Sequence, residues 1–358
     1  MIKMTSFLVS VIATILVLGL LVLVHEAGHY FAGRAVGVKV YEFAIGFGPM
    51  LFGKTGRNQT LYSVRAIPLG GFVKFAGMDE EEDTDEDGAL RYRPGEGFNE
   101  KKPWQKGLVI LAGPLMNFVL TILILAGIFF KLGVPVIEPV IGEVIKNMPA
   151  EAAGLKPGDR IIAVNGKTVT DWEKVVQEIR KQEQGRVSLE ILRNQKKMLI
   201  ELRPKKDPAT GQSMIGISPQ PPKMKSVNLW EAAGYGVLYT GKITSTVLHY
   251  LANLFKMPDP TAGLAGPARI SMEIGKAAQA GWLNLLQLAA LLSLQLGLFN
   301  LLPIPALDGS RLLFVGWEGL VGRRVDPKRE NIVHLVGFAL LLVLMVVVTV
   351  NDISQLLK

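Results

Sequence analysis

The stretch that decides the fold is VHEAGHY, residues 24–30, which ends a long apolar run near the start of the chain. His25 and His29 stand four positions apart, so on an α-helix their side chains lie one above the other. Both imidazoles can then bind one zinc ion, and Glu26 stands beside the metal, where it can take a proton from bound water. The alternative is a polar patch that closes a membrane helix, in which both histidines pair with backbone or water.

The composition favours a membrane protein and limits the chemistry of any metal site. Hydrophobic residues make up 49% of the 358 residues, and the formal net charge is +8. No cysteine is present, so histidine and carboxylate side chains must hold any metal, and a cysteine nucleophile is excluded. The basic residues form no dense cluster with interleaved aromatics, which argues against nucleic acid. They lie beside apolar spans, as expected at a membrane surface.

Four apolar stretches are long enough to cross a bilayer, which takes about 20 residues of helix. They cover residues 5–31, 108–130, 284–302 and 332–350. The loops 32–107 and 303–331 are rich in Lys and Arg, so the positive-inside rule places both loops in the cytoplasm. Both termini and the long segment between the second and third spans are then expected outside.

Residues 39–78 show strand-like alternation interrupted by turn signals, and they predict two β-hairpins beside the zinc helix. The segment is too apolar to be simply solvated, so we expect it to dip into the membrane against the helices. The alternative is a β-subdomain in the cytoplasm. The acidic, glycine-rich segment 79–103 is predicted to be a mobile loop.

The second span contains AGPLMN, residues 112–117. A proline and an asparagine inside a span predict a kink and a polar side chain that faces inward. Asn117 either helps to line an active site or makes an interhelical hydrogen bond.

The third span ends in FNLLPIPALDGSR, residues 299–311. Pro303 and Pro305 must break the helix, so Asp308 lies on unwound backbone at the same end of the membrane as HEAGH. A carboxylate there can complete a zinc site of two histidines and one aspartate, with one position left open. The alternative for Asp308 is the N-cap of the following helix. His334, which opens the last span, is predicted to be an interfacial residue.

Residues 136–218 predict a soluble module of strands and short helices. Its stretch AGLKPGDRIIAVNG, residues 153–166, and its order of elements resemble a bacterial PDZ domain. That resemblance implies a groove that takes a peptide by β-strand addition. Val140, Ile141 and Gly142 match the carboxylate-binding loop of those domains by position. The segment 228–256 is predicted to be a helix at the outer membrane surface, and 264–282 a second, short re-entrant or surface helix.

Several motifs together resemble the bacterial site-2 proteases, of the regulator-of-sigma-factor type with one PDZ domain. They are HEAGH at 25–29, IPLGGFVKFAGM at 67–78, AGPLMN at 112–117, the PDZ module and NLLPIPALDG at 300–309. The resemblance implies an intramembrane zinc metalloprotease in which His25, His29 and Asp308 bind Zn²⁺ and Glu26 is the catalytic base. It also implies that Asn300 contacts the substrate strand or the developing oxyanion. Pro303, Gly70, Gly71 and Phe72 are further expected substrate-binding residues.

The fold that the resemblance implies is a multi-pass α-helical membrane protein. It has four transmembrane helices, a membrane-associated β-hairpin region and an inserted extracytoplasmic α+β PDZ domain. The expected segments are 1–33 (first span), 34–107 (hairpin region and acidic loop), 108–131 (second span), 132–220 (PDZ domain), 221–282 (linker and surface helices), 283–311 (third span), 312–331 (cytoplasmic loop) and 332–358 (fourth span and C-terminus).

The implied substrates are membrane-spanning segments of trimmed membrane proteins, such as anti-sigma factors and remnant signal peptides. The implied location is the bacterial inner membrane, with the active site towards the cytoplasm. An edge strand within 60–75 is expected to bind the unwound substrate, and the PDZ domain is expected to act as a receptor or as a size filter. The main rival is a catalytically inactive scaffold that holds membrane peptides; a metal transporter and a soluble zinc protease tethered by one helix fit the motifs less well.

Overall fold

The structure is a computed structural model that describes residues 2–78, 91–182, 185–206, 213–253 and 266–356. The chain divides into two compact units, Met1–Gly127 with Ala233–Lys358, and Ile128–Ala232. The predicted module 132–220 falls inside the second unit. The predicted mobile loop 79–103 lies outside the described residues as far as residue 90, and a short 3₁₀ helix covers Phe98–Glu100.

The described residues form the following helices and strands. The helices are α1 (Ile2–Ala35), α2 (Pro103–Leu132), α3 (Pro149–Ala152), α4 (Trp172–Arg180), α5 (Leu229–Asn253), α6 (Pro267–Ala280), α7 (Trp282–Asn300), α8 (Asp308–Val321) and α9 (Pro327–Leu356). The strands are β1 (Val40–Thr55), β2 (Leu61–Phe75), β3 (Val134–Val136), β4 (Ile141–Val144), β5 (Arg160–Val164), β6 (Lys167–Thr168), β7 (Val187–Arg193), β8 (Lys196–Leu202), β9 (Lys205–Lys206), β10 (Ser213–Met214), β11 (Ile217–Pro219) and β12 (Lys223–Lys225).

Four of these helices contain segments long and apolar enough to cross a membrane, which confirms the prediction of four spans at that level. The segments are Phe7–Ala35, Pro103–Leu132, Trp282–Asn300 and Ile332–Asp352. The first helix continues past HEAGH to Ala35, so the motif lies inside the helix and not at its end. Large apolar side chains on α1 and α9, such as Leu16 and Val343, are exposed in the protein, as expected where lipid covers them.

The first unit buries α6 against α1 and α7. Leu21 of α1, Ile274 of α6 and Ala289 of α7 belong to one buried apolar cluster. The hydroxyl groups of Thr14 and Ser271 lie 3.0 Å apart across the α1–α6 contact. The segment 264–282, predicted to be a re-entrant or surface helix, therefore packs against the first span over its described part, because one side of α6 is apolar.

The predicted two hairpins are instead one sheet made from two strands that both bend. Residues 42–45 of β1 pair with residues 71–74 of β2 on one side and with residues 61–64 on the other, while residues 52–55 pair with residues 61–64. Within this sheet, 52–55 and 71–74 are therefore the outer edges. β1 bends at Gly46 and Gly48, whose φ values are 91° and 82°, and β2 bends at Gly70, whose φ is 110°; glycine enters this region without steric cost.

The second unit contains a four-stranded sheet in the order β6-β5-β7-β8, with a two-stranded pair of β4 and β11. Helix α4 contributes Val175 to a buried cluster that also contains Ile161 of β5 and Leu189 of β7. Asp159 is buried, and its carboxylate accepts hydrogen bonds from Arg193 Nε (2.6 Å) and Nη2 (2.7 Å). This bidentate pair outweighs the opposing effect of burial and lowers the pKa of Asp159.

Candidate metal centre

Three predicted zinc ligands from two distant parts of the chain meet at one point. His25 Nε2 lies 3.2 Å from His29 Nε2, and Asp308 Oδ2 lies 3.1 Å from His25 Nε2 and 3.3 Å from His29 Nε2. Ligand atoms bound tetrahedrally to zinc at about 2.0 Å are separated from one another by about 3.3 Å. The three atoms therefore stand at the spacing of three corners of a zinc tetrahedron.

The hydrogen bonding of Asp308 also fits a cation at this point. Its Oδ2 atom is buried, and among the described residues it has no hydrogen-bond partner of acceptable geometry, although both imidazoles face it. Burial alone would raise the pKa of the Asp308 carboxyl group, but the two imidazoles beside it outweigh that effect and hold the pKa below its usual range. An ionised carboxylate and two imidazole nitrogens form a donor set suited to Zn²⁺.

The ring of His29 is oriented by helix α2. His29 Nδ1 lies 2.8 Å from the carbonyl oxygen of Val109, which can only accept a hydrogen bond. Nδ1 therefore carries the proton, and Nε2 keeps its lone pair for the metal.

The ring of His25 is oriented by Asn117, which is fully buried on α2. The amide nitrogen of Asn117 lies 3.2 Å from His25 Nδ1, and the amide oxygen has no partner among the described residues. If His25 Nε2 binds metal, Nδ1 must carry the proton and needs an acceptor. Turning the Asn117 amide by 180° places its oxygen beside His25 Nδ1, so the Nδ1 proton gains an acceptor and the amide oxygen gains a donor. Such a turn is consistent with the structure because the amide nitrogen and oxygen are difficult to tell apart. Asn117, predicted to face inward, thus contacts His25, one of the predicted zinc ligands.

Two glycines allow α1 and α2 to approach closely enough for these contacts. A Cβ atom on Gly28 would overlap the carbonyl of Ala112, and one on Gly113 would overlap the imidazole of His29. The glycines in HEAGH and in AGPLMN are therefore required by the helix crossing that forms the site.

Asp308 reaches the histidines because it is the first residue of α8. The N-cap of α8 is Leu307, so the alternative in which Asp308 caps this helix is wrong. At the other end of α8, Glu318 accepts hydrogen bonds of 2.8 and 2.9 Å from Lys106, whose side chain is almost fully buried. Breaking a buried ion pair of this kind is costly, so the pair holds α8 against the first turn of α2.

A cavity of about 390 Å³ opens beside the three predicted zinc ligands. Its walls include Glu26 and several predicted substrate-binding residues, namely Asn300, Gly70, Gly71 and Phe72, but not Pro303. The backbone N–H of Val73 lies within hydrogen-bonding reach of the Glu26 carboxyl group. The sheet edge at 71–73, the predicted general base Glu26 and the three predicted zinc ligands thus share one space.

Comparison with known proteins agrees with this geometry. A family model described as peptidase family M50 matches residues 13–344. The chain belongs to peptidase family M50. This membership confirms the resemblance to the site-2 proteases, and the chain is accordingly a zinc metalloprotease.

Two curated relatives of this M50 peptidase match it from end to end. The zinc metalloprotease RasP of Geobacillus kaustophilus is 34% identical, with 98% of this chain and 99% of that protein covered. The regulator of sigma-W protease RasP of Bacillus subtilis is 32% identical, with 98% and 99% covered.

Two solved structures match only a part of the M50 chain. A solution structure of a Geobacillus thermodenitrificans protein covers 23% of the chain and 94% of its own length at 32% identity, with a TM-score of 0.20. A crystal structure of the PDZ domain of an SdrC-like protein from Listeria monocytogenes covers 23% and 87% at 19% identity, with a TM-score of 0.21. TM-scores this low do not establish a shared fold.

The predicted carboxylate-binding loop at Val140, Ile141 and Gly142 does not offer a free strand edge in the M50 peptidase. The Ile141 N–H donates to the Asp159 carbonyl (2.9 Å), and the Ile141 carbonyl accepts from the Gly158 N–H (2.8 Å). Ile141 is fully buried, and β4 pairs with β11 along its other side. The backbone groups of Ile141 therefore make hydrogen bonds within the second unit, and peptide binding at this loop stays a prediction.

Sequence reasoning missed three contributors to the M50 site: the Val109 carbonyl, the Lys106–Glu318 pair and His334. A backbone carbonyl has no signal in the sequence, because every residue carries one. In the sequence, Lys106 is one of several basic residues that flank a span. Its partner Glu318 is distant along the chain, so the pair has no local signal. His334 was predicted to be interfacial, whereas its Nδ1 accepts a hydrogen bond of 3.1 Å from the Ala306 N–H.

Replacing Asn117 with Leu is expected to weaken zinc binding about 10- to 100-fold, the range found when a partner of a metal-ligating histidine is lost. Leu is similar in size but offers no acceptor for the His25 Nδ1 proton. The measurement is competition for zinc against a chromogenic chelator.

The matched variant Asn117→Asp is expected to keep zinc binding close to that of the unmodified protein, because a carboxylate oxygen can accept from His25 Nδ1. If Asn117→Asp binds zinc as weakly as Asn117→Leu, the amide nitrogen faces His25 and the amide orientation inferred above is incorrect.

Proposed function

We propose that this M50 peptidase cuts peptide bonds inside the membrane-spanning segments of other proteins. The observation that carries the proposal is the single cavity that contains the three ligands, Glu26 and the sheet edge at 71–73. Helices apolar enough to cross a membrane, α1, α2 and α7, supply much of its wall. Such a site suits a substrate that itself lies in the membrane, and His25, His29 and Asp308 are the residues that would hold the metal.

The chemistry divides between the metal and two side chains. Zinc, when bound, supplies Lewis acidity and brings the pKa of its water towards neutrality. The Glu26 carboxylate takes the proton from the attacking water and passes it to the nitrogen of the leaving amine. Asn300, on the cavity wall, donates from its amide to the scissile carbonyl oxygen as that oxygen gains negative charge.

The substrate backbone is held in extended form at the outer edge of residues 71–73. A peptide bond inside a helix is shielded, and unwinding it in lipid leaves polar groups without partners. Residues 71–73 pair with β1 on their inner side, and no other described strand pairs with them on their outer side. An added strand would satisfy the unwound backbone next to Glu26 and the metal ligands.

Val73→Pro is expected to reduce cleavage of a transmembrane peptide by about tenfold with normal zinc content. A proline lacks the N–H that faces the cavity and lies within reach of Glu26, so the variant loses a hydrogen bond to the substrate or to the Glu26 carboxylate. The loss of one or two hydrogen bonds corresponds to about that factor. Proline is tolerated on a sheet edge, so the sheet itself should survive. The measurement is the initial cleavage rate together with the amount of zinc per protein.

The control is Phe52→Pro, on the opposite edge of the same sheet, where the side chain is exposed. It is expected to cleave at nearly the unmodified rate, and equal losses in both variants would point to general disruption of the sheet. A substrate with a methylated backbone nitrogen beside the scissile bond should also be cut slowly by the unmodified enzyme. If that methylation has no effect, the substrate does not bind by strand addition.

The name of one relative supports a proposal for the substrate class. Because the Bacillus subtilis relative is a regulator of sigma-W protease, we propose anti-sigma factors as substrates here, together with remnant signal peptides. The loops 32–107 and 303–331 are rich in Lys and Arg, which supports an active site towards the cytoplasm and an extracytoplasmic location for the segment between the second and third spans. The proposed location is the bacterial inner membrane.

The proposal is tested with purified full-length protein in lipid vesicles and a model transmembrane peptide. Cleavage is expected, and it should stop when a chelator removes zinc and return when zinc is added back. A catalytically inactive scaffold would instead capture the peptide without cutting it. Capture without any zinc-dependent product would overturn the proposed function.

A further inference from the structure

The loop between α7 and Asp308 has few hydrogen bonds of its own. Pro303 and Pro305 carry no N–H group, so residues 303–307 contain only the donors of Ile304, Ala306 and Leu307. Ile304 and Leu307 donate within the loop region, to Leu302 (2.7 Å) and to Ile304 (3.1 Å) respectively. The Ala306 N–H is therefore the one loop donor whose described partner lies on another element.

That partner is His334 on α9. The Ala306 N–H donates to His334 Nδ1 at 3.1 Å. Because Nδ1 accepts, the proton of the neutral ring is on Nε2, which is buried without a described hydrogen-bond partner and lies 3.9 Å from Glu330. The His334 ring also packs edge-on against Phe314 of α8, with centroids 5.8 Å apart.

Ala306 needs an external partner because of its backbone conformation. Its φ of 76° lies in the left-handed region, which residues other than glycine rarely adopt unless the surroundings hold them there. Asp308 follows two residues later, so a relaxation of Ala306 would move the start of α8 and the carboxylate with it.

A second contact, one turn further along the same face of α9, packs against the preceding residue of the loop. A Cβ atom on Gly337 would overlap the Cβ of Pro305 and lie 2.8 Å from its carbonyl carbon. Residues 334 and 337 are three apart and lie side by side on one helix face. The face made of His334 and Gly337 therefore touches Pro305 and Ala306 together.

We infer that His334 and Gly337 are positioning residues, which fix the 303–307 loop against α9 so that the Asp308 carboxylate meets the two histidines. The converging group among the described residues consists of His25, His29 and Asp308, so α9 supports the centre without contributing a ligand to it. This inference rests on the proposed binding of zinc by Asp308.

The test measures zinc affinity and cleavage of a transmembrane peptide by the full-length protein. His334→Leu removes the acceptor and is expected to weaken zinc binding about 10- to 100-fold, as for other residues that orient a metal ligand. His334→Asn places an amide oxygen near the position of Nδ1 and is expected to restore affinity to within a few-fold of the unmodified protein. A residue that only fills space would not distinguish Leu from Asn in this way.

The second pair of variants does not depend on the histidine. Gly337→Ala is expected to weaken zinc binding, whereas Gly316→Ala on α8, where an added Cβ meets nothing within 4 Å, is expected to leave it unchanged. If His334→Leu does not fold, the zinc affinities of Gly337→Ala and Gly316→Ala test whether α9 positions the loop. Unchanged zinc affinity in Gly337→Ala, or equal affinities in folded His334→Leu and His334→Asn, would overturn the inference.

A failure of the positioning role of α9 can be distinguished from a failure of the proposed zinc site. If Asp308→Ala binds zinc as tightly as the unmodified protein, the proposed site itself is wrong. If Asp308→Ala loses zinc while His334→Leu and Gly337→Ala keep it, only the positioning role of α9 fails.

Discussion

Glu26→Gln is expected to lower the rate of transmembrane peptide cleavage by about 10²- to 10⁴-fold, the contribution typical of a general base. Glutamine keeps the size of the side chain but cannot take a proton from water at neutral pH. Glu26 is not one of the three groups whose ligand atoms converge, so zinc content should match that of the unmodified protein. The measurement is the initial cleavage rate with zinc per chain determined on the same sample.

The control is Glu273→Gln on α6, where the exposed carboxylate pairs with Lys276. An exposed pair contributes little, so this variant should cleave at the unmodified rate. Loss of zinc together with loss of rate in Glu26→Gln would make Glu26 a ligand and not a base. A rate equal to that of the control would exclude Glu26 from the chemistry.

Asp308→Ala is expected to weaken zinc binding by more than about 100-fold, beyond the range found for residues that only orient a ligand. Catalytic zinc sites use three protein ligands, and this change leaves two. It also removes an acidic residue from the first turn of α8, where negative charge is favourable, so a loss of stability of up to about 1 kcal/mol is expected. Chelator competition and the thermal unfolding midpoint measure the two effects separately.

A comparison with His25→Ala shows whether the two residues bind the same ion. The unmodified protein should bind one zinc per chain, and His25→Ala and Asp308→Ala should each lose it. The double variant should then show no additional loss of stoichiometry, because a shared ion can be lost only once. Retention of tight binding in Asp308→Ala beside its loss in His25→Ala would place the third ligand elsewhere.

Local sequence patterns were sufficient to predict the membrane-spanning helices and the residue types available to bind a metal. The spacing of His25 and His29 places both on one helix face, and the absence of cysteine restricts the ligands to histidine and carboxylate. The lengths of the apolar runs predict four spans, and four such helices are present. The two prolines after the third span predict its end, and α7 does end at Asn300.

Predictions that depend on which strands pair with each other were less accurate than predictions of single elements. The alternation in 39–78 predicts strands, but only the register shows that 71–74 is an outer edge beside Glu26. Val140 and Ile141 matched a binding loop by position, yet their surroundings use that backbone for internal hydrogen bonds. Strand pairing depends on which segments meet, and that is not a property of either segment alone.

The sequence by itself determined the ligand types, the helical histidine pair, the membrane-spanning helices and the family. Only the tertiary structure decided that Asp308 meets both imidazoles, that Asn117 and Val109 orient the rings, and that α9 holds the loop before Asp308. The physical reason is the distance along the chain over which each interaction acts. Helical periodicity and chain breaking act over a few residues, whereas these contacts join side chains and backbone groups that packing alone brings together.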